Sequence, residues 1–174
     1  TRITRRLARL SLAGALALFL GACGGAGDEA ATVVRLGYFP NVTHAPAIVG
    51  DTQGYFADAL GEGIDLQVQY FNAGPDVIQA MFAGGLDMSF IGPNPAINGY
   101  AQSNGEAIRI IAGSTSGGAF LVVRAGIDAA QDLAGATLAT PQLGNTQDVA
   151  LRAWLIEQGF SSDTAGGGDV SIRP

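Results

Sequence analysis

The sequence TPQLGNTQD, residues 140–148, separates an apolar segment from a segment with helical periodicity. Residues 137–139 favour a short strand that follows a turn at Gly135. Residues 145–158 predict a helix, and Gly159 is suited to end it because glycine readily adopts the left-handed conformation that follows helices. The order of strand, polar loop and helix is the repeating unit of a parallel α/β sheet.

The same order recurs along the chain outside this stretch. Further strands are predicted at 33–37, 66–71, 87–91, 108–111, 120–124 and 170–172, and further helices at 44–50, 75–83, 95–102 and 129–133. Thr43 and Asn94 are the predicted N-caps of the helices that follow them. We therefore expect an α/β fold with its ligand at the carboxyl ends of the parallel strands.

The composition excludes several kinds of site. The 174 residues include nine arginines, no lysine, one histidine and one cysteine. Without lysine, the chain cannot form a Schiff base with pyridoxal phosphate or supply the lysine of a Walker-A loop. One histidine and one cysteine cannot form a Cys/His zinc site or an intrachain disulfide. The net charge of −6 argues against a nucleic-acid surface. No metal or cofactor is indicated.

Residues 1–22 have the features of a secretory signal peptide. Four arginines lie among the first nine residues, and the uncharged stretch that follows is shorter than the about 20 residues of a membrane span. Leu20-Gly-Ala-Cys23 resembles the bacterial lipobox, in which the cysteine carries a diacylglycerol. The alternative is that Cys23 is a small apolar residue at the end of a signal peptide. Residues 23–32 are predicted to be a flexible tether or a disordered mature terminus.

Polar loops follow three of the predicted strands. They contain Asn94 between two prolines, the run Ser114-Thr-Ser-Gly-Gly118, and the stretch 140–146 that contains Gln142. Glycine and hydroxyl residues ahead of a helix let backbone N–H groups approach an anion closely. Each loop alone is compatible with ordinary turn chemistry, but three loops at one expected sheet edge suggest a shared site.

Aromatic residues and the single histidine follow the first predicted strand. Tyr38 and Phe39 are candidates for the wall of a small-molecule site, with core packing as the alternative. His44 is a candidate hydrogen-bond donor to a polar or anionic ligand, with a cap or surface position as the alternative.

The alternative hypothesis is that the protein is an enzyme. A hydrolase would need His44 as the base for Ser114 or Ser116, since the chain has no other histidine. Residues 113–117 have the flanking glycines of a nucleophile elbow but threonine at its centre, and a strand is predicted after them where the elbow requires a helix. We therefore consider the likeness accidental. Asp76 is separated from Asp87 by a helix and a turn, so these carboxylates are expected on a solvated face or at a cap.

The segments 36–50, 91–99, 112–119 and 139–154 together resemble solute-binding proteins of ABC importers, in the nitrate, sulfonate and taurine group that includes members for thiamine-precursor pyrimidines. The resemblance implies the type II periplasmic-binding-protein fold, with two α/β lobes that close on a solute. Residues 33–124 would form most of the first lobe and residues 125–174 the start of the second. Members are longer, so we expect the sequence to be truncated at its C-terminus.

The resemblance also implies which positions contact the ligand. These are Tyr38, Phe39, Asn41, His44, Asn94, Ser114, Ser116, Gly117, Gly118, Gln142, Asn145 and Thr146. The expected function is that of an extracytoplasmic lipoprotein that captures a small anionic or polar solute, such as a sulfonate, nitrate or taurine. Its expected partners are the permease and ATPase subunits of an importer and the membrane that holds its lipid. A hydrolase-like enzyme and a sensory ligand-binding domain are the alternatives.

Overall fold

A computed structural model describes residues 31–163, 165 and 167–174. The predicted signal peptide, Cys23 and nearly all of the tether lie outside the described residues. The strands are β1 (Thr32–Tyr38), β2 (Ile64–Tyr70), β3 (Met88–Ser89), β4 (Thr137–Ala139) and β5 (Ser171–Arg173). The helices are α1 (Ala45–Thr52), α2 (Tyr55–Leu60), α3 (Gly74–Phe82), α4 (Pro93–Gln102) and α5 (Thr146–Glu157), with 3-10 turns at Val42–His44 and Ala130–Leu133.

The first sheet is parallel, and β1 lies at its centre. Its strand order is β2-β1-β3, with Thr32 opposite Ile64 and Leu36 opposite Met88. Parallel pairing brings the carboxyl ends of the three strands to one edge, where the following loops lead into helices. The predictions for β1 and β2 are confirmed to within a few residues, whereas β3 is shorter than the predicted 87–91.

The two predicted N-caps, Thr43 and Asn94, are wrong. The helix α4 begins at Pro93 and is capped by Gly92, so Asn94 lies inside its first turn instead of before it. The helix α1 begins at Ala45 after a 3-10 turn, and Thr43 caps neither. Proline in the first turn of a helix sacrifices no hydrogen bond, because the first N–H groups have no partner in the helix. This allows α4 to start two residues earlier than the Asn94 cap predicted.

The second sheet pairs β4 with β5 in parallel, with Thr137 opposite Ser171. Its core consists of Leu133, Leu155, Val170 and Ile172, each at most 2% exposed. The predicted strands at 137–139 and 170–172 and the helix at 145–158 are confirmed by these elements. Two separate parallel sheets with helices between their strands constitute the expected α/β architecture.

The strands predicted at 108–111 and 120–124 are wrong. Residues 108–124 form neither helix nor strand in the structure, and their side chains are largely exposed. Phe120 is 90% exposed and Val122 91%. A strand requires a neighbour to accept and donate its backbone hydrogen bonds, and no described residue pairs with this segment. Among the described residues, no helix is long and apolar enough to cross a membrane.

Candidate functional site

The loop before α5 lies against the first turns of α3 and α4. The Gln142 Nε2 donates a hydrogen bond of 3.2 Å to Oδ1 of Asp76, in the first turn of α3. Thr146, the first residue of α5, contacts Gly92, the N-cap of α4. A Cβ on Gly74 would overlap the ring of Pro95, so α3 and α4 also approach closely at their first turns. The N-terminal ends of three helices therefore meet at this loop, and we call their meeting place the junction.

Asp148 holds the loop 140–146 in shape from within α5. Its side chain is almost fully buried, and its carboxylate accepts hydrogen bonds from the Gly144 N–H at 3.0 Å and the Thr140 hydroxyl at 3.3 Å. The Arg152 Nε donates to both of its oxygens at 3.1 and 3.2 Å. Burial raises the pKa of Asp148, but the hydrogen bonds from Arg152 and Gly144 outweigh it and hold the pKa below its ordinary value.

The Asn145 side chain caps the N-terminus of α5. It is 4% exposed, and its Oδ1 accepts a 2.8 Å hydrogen bond from the Asp148 N–H. This bond satisfies one of the backbone donors that a helix leaves open at its start. The predicted site residue Asn145 therefore lies at the junction, where its side-chain oxygen orients the helix.

Two polar atoms at the junction are buried without a partner among the described residues. These atoms are Oε1 of Gln142 and Oγ1 of Thr146. The carboxylate of Asp76, when ionised, can only accept, so the Gln142 amide must turn its nitrogen toward Asp76 and keep its oxygen free. Buried polar atoms are normally hydrogen-bonded. The junction therefore contains two buried polar atoms whose hydrogen bonding is incomplete among the described residues.

Tyr38 is part of the core rather than an open wall. Its ring is 3% exposed, stands edge-on to Tyr70 at a centroid distance of 5.1 Å, and its hydroxyl donates to Oδ2 of Asp51 at 2.6 Å. Burial, followed by the hydrogen bond with Asp51, raises the pKa of Tyr38. The structure thus favours the core-packing alternative for this residue.

Phe39 and His44 form a pair beside the end of β1. Their ring centroids lie 4.1 Å apart, and the Phe39 N–H donates to His44 Nδ1 at 3.2 Å. Burial lowers the pKa of His44, which favours the neutral ring. With Nδ1 accepting, the neutral imidazole carries its proton on Nε2 and keeps that donor. Nearby, Asn41 Oδ1 accepts from the N–H and hydroxyl of Thr43, so this oxygen is used locally.

The loop residues Ser114, Ser116, Gly117 and Gly118 stay candidate ligand contacts. They lie in an exposed segment and make no hydrogen bond to any described residue. Asn94, by contrast, lies half-buried in the first turn of α4, next to the Gly92 cap.

Two residues of the junction were missed by sequence reasoning. Asp76 was expected on a solvated face or at a cap, yet its carboxylate holds Gln142. Gly92 was one small residue in a Gly-Pro loop, and only the approach of Thr146 distinguishes it. Asp87, considered together with Asp76, instead forms an ion pair with Arg35 at 2.8 Å on the surface. The position of Asp76 in a helix's first turn was the available signal.

A cavity of about 250 Å³ lies next to the junction, between α3, α4 and the loop before α5. Gln142 and Thr146 do not line it among the described residues. Its lining combines apolar side chains with carboxamides and carries no charge: Pro75, Ile78, Gln79, Phe82, Pro95, Asn98, Gln102, Leu143 and Gly144. Within the described ranges, no group of three or more His, Cys, Asp or Glu side chains could hold a metal ion.

Comparison with known proteins connects this arrangement to a family of binding proteins. Binding proteins of Brucella abortus (strain 2308) and Brucella suis (biovar 1) are 29% identical over 101 residues, which cover 58% of this chain and 30% of theirs. The periplasmic aliphatic sulphonate binding protein SsuA from Escherichia coli matches 81% of this chain and 46% of its own, with a TM-score of 0.50 and 17% identity. The chain thus spans less than half the length of these relatives.

The structural match confirms the expected periplasmic-binding-protein fold, present in part. The resemblance identified from the segments 36–50, 91–99, 112–119 and 139–154 is confirmed by the family comparison, which matches residues 27–173. The chain belongs to the NMT1-like family.

Proposed function

We propose that this chain is the solute-capturing part of an extracytoplasmic binding protein that serves an ABC importer. The observation that carries the proposal is the junction, where the ends of three helices meet around the unpartnered Gln142 Oε1 and Thr146 Oγ1. Its solute is small and anionic or polar, with sulfonates, nitrate and taurine as the classes to test. Membership of the NMT1-like family supports this function.

The N-termini of the three helices supply an attraction for an anion that does not depend on Arg35 or Arg152. Arg152 is paired with Asp148, and Arg35 is paired with Asp87 away from the junction. Helix N-termini carry about half a positive charge and unpaired N–H groups, and these groups bind anions without a cationic side chain. An acidic protein can therefore still capture a small anion at this place.

The hydrolase alternative receives no support from the arrangement of its candidate residues. His44 Nδ1 accepts from the Phe39 N–H, and neither Ser114 nor Ser116 forms a hydrogen bond with His44 in the part of the chain that the structure describes. Nucleophilic catalysis needs the serine within hydrogen-bond reach of its base. The observed arrangement favours binding over bond cleavage.

A solute screen by thermal unfolding tests the proposal. A solute at about 100 times its dissociation constant stabilises the folded state by about 2.7 kcal/mol, so taurine, ethanesulfonate or nitrate should raise the melting temperature. Gln142→Ala should remove this stabilisation, because Gln142 lies at the junction. The control is Gln147→Ala, an exposed glutamine in the same segment, which should keep it. If a solute stabilises both variants equally, it binds away from Gln142. If no solute stabilises the parent chain, the proposal is wrong.

Lipid anchoring at Cys23 is part of the same proposal. Residues 1–22 would direct export, and the tether 23–32 would hold the lobes 33–124 and 125–174 at the outer face of the membrane or in the periplasm. Growth with a labelled fatty acid should label the parent chain and leave Cys23→Ala unlabelled.

Loss of solute uptake on deletion of the gene would favour transport over the sensory alternative, whereas unchanged uptake would favour sensing.

A further inference from the structure

The contact between Gly92 and Thr146 links two parts of the chain that are far apart in sequence. Gly92 caps α4 beside the first sheet, and Thr146 begins α5 beside the second. A Cβ placed on Gly92 would overlap Thr146 Oγ1 and lie 3.2 Å from Thr146 Cβ. The two residues are therefore in direct contact, and there is no room between them for a side chain.

The backbone of Gly92 does not itself require glycine. Its φ of −70° and ψ of 155° belong to the extended region that every residue adopts. Apart from Thr146, the nearest atom to a built Cβ is Pro95 Cδ at 3.9 Å, an ordinary van der Waals distance. The approach of Thr146 is thus the one steric reason in the described structure for a glycine at this position.

The contact buries polar atoms without completing their hydrogen bonds. Thr146 Oγ1 is buried and unpartnered where it faces Gly92, and Gln142 Oε1, in the loop before α5, is also buried and unpartnered among the described residues. Beside them, the bond from Gln142 Nε2 to Asp76 ties the loop to α3. Close packing and a hydrogen bond therefore hold the loop in place, while two of its polar atoms are buried without a hydrogen-bond partner among the described residues.

We propose that Gly92 is a positioning residue for solute binding. By lacking a side chain, it lets Thr146 and the N-terminus of α5 seat against the N-terminus of α4, which places the free atoms of Thr146 and Gln142 at the same junction. This inference rests on the proposed solute-binding function. It assigns Gly92 no contact with the solute, because its effect passes through Thr146.

The contact between Gly92 and Thr146 can be tested without any solute. In a Cys23→Ser background, Gly92→Cys with Thr146→Cys should form an intramolecular disulfide under a mild oxidant, because the Cβ separation of 3.2 Å is close to the ~3.5–4.5 Å of disulfides. Mass spectrometry would detect the loss of two hydrogen atoms. The control pair is Gly113→Cys with Thr146→Cys, since a Cβ on Gly113 has nothing within 4 Å. If the pair at 92 and 146 forms its disulfide no faster than the control pair, Gly92 and Thr146 are not in contact.

The effect on binding is tested by a double-mutant cycle. Gly92→Ala should weaken solute binding about tenfold or more by displacing Thr146, since small displacements in a binding site have effects of this size. In a Thr146→Ala background, the same change should cost less, because the overlapping oxygen is gone and only the 3.2 Å approach to the Cβ of residue 146 remains. Gly113→Ala is the control and should bind like the parent. Equal losses in both backgrounds would show that Gly92 acts by another route.

The two proposals fail differently. If the parent chain binds none of the solutes while the Gly92 disulfide forms, the proposed function is wrong and the positioning role falls with it, although the contact stands. If solute binds but the disulfide does not form, or Gly92→Ala binds like the parent, the function stands and the inference about Gly92 is wrong.

Discussion

Asp148 shows how one buried charge can fix the shape of a loop. Its carboxylate is nearly inaccessible and is satisfied by Arg152, by the Gly144 N–H and by the Thr140 hydroxyl. Removal of one partner of a buried ion pair leaves the other charge uncompensated. The loop that carries Gln142 therefore depends on a side chain that does not itself extend into the junction.

We expect Asp148→Ala to lower the free energy of unfolding by about 3 kcal/mol, because it leaves Arg152 without its buried partner. Urea denaturation measures the loss. Asp87→Ala, which removes the surface ion pair with Arg35, is the control and should have a much smaller effect. Similar losses in the two variants would mean that the Asp148 network contributes no more than a surface pair.

Leu155 and Ile156 are neighbours with opposite environments. Leu155 is fully buried in the core of the second sheet, whereas Ile156 is 67% exposed. Leu155→Ala should cost about 2–5 kcal/mol of unfolding free energy, because it removes buried methyl groups and leaves a cavity. Ile156→Ala should cost far less in the same denaturation experiment. A larger loss of unfolding free energy in Ile156→Ala than in Leu155→Ala would mean that α5 is rotated from its position in the structure.

At the scale of the element, α5 begins where its sequence says it should. Asn145 was predicted as the start of the helix, and the structure shows its side chain accepting from the Asp148 N–H. Local hydrogen bonding of this kind is encoded within four residues, so it can be read without tertiary information.

Loss of this cap has a measurable consequence. Asn145→Ala should destabilise the protein by about 1 kcal/mol, because the N–H of Asp148 loses its acceptor. Asn98→Ala is the matched control, since Asn98 is exposed within α4 and caps nothing. Thermal unfolding of both variants measures the difference, and an equally stable Asn145→Ala would contradict the capping role.

The segment 108–124 shows the limit of element prediction. Its runs of isoleucine and valine have high strand propensity, and two strands were predicted there. In the structure, Ile110 is 72% exposed and Val122 91%, and no described strand lies alongside either run. Strand propensity expresses how well a side chain suits a packed sheet, so it cannot by itself supply the neighbouring strand.

For the whole molecule, stability is expected to fall as the solution becomes mildly acidic. Burial lowers the pKa of His44 below its ordinary value of 6.5, so the unfolded chain binds this proton more readily than the folded one. The stability is therefore complete above about pH 6.5 and declines as the pH falls toward the lowered pKa. Thermal unfolding from about pH 7.5 to about pH 5 should show this slope. In His44→Gln the melting temperature should fall less over this pH range. If it falls as much as in the parent chain, groups other than His44 cause the pH dependence.

A separate decline is expected at lower pH. The pKa of Asp148 lies below its ordinary value of 3.8, so the stability from its hydrogen bonds is present above 3.8 and is lost as the pH falls through the lowered pKa. The two groups therefore act in separate pH ranges, and both make acid destabilising.

The sequence by itself determined the features that depend on near neighbours. The alternation of strands and helices, the start of a helix near residue 145, the stop at Gly159 and the polar character of the loop 140–146 all follow from short-range periodicity and turn chemistry. Those same local patterns were enough to predict a parallel α/β fold, whereas the binding-protein fold was predicted from the resemblance to a known family.

Only the tertiary structure decided which of these local features meet. Gln142 bonds to Asp76 across 66 positions, Thr146 reaches Gly92 across a similar separation, and Tyr38 turns its hydroxyl inward to Asp51. Such contacts depend on how helices and sheets pack, and no residue encodes its distant partner locally. For the same reason the sequence could not show that Ser114 and Ser116 lie in an exposed segment without a neighbouring strand.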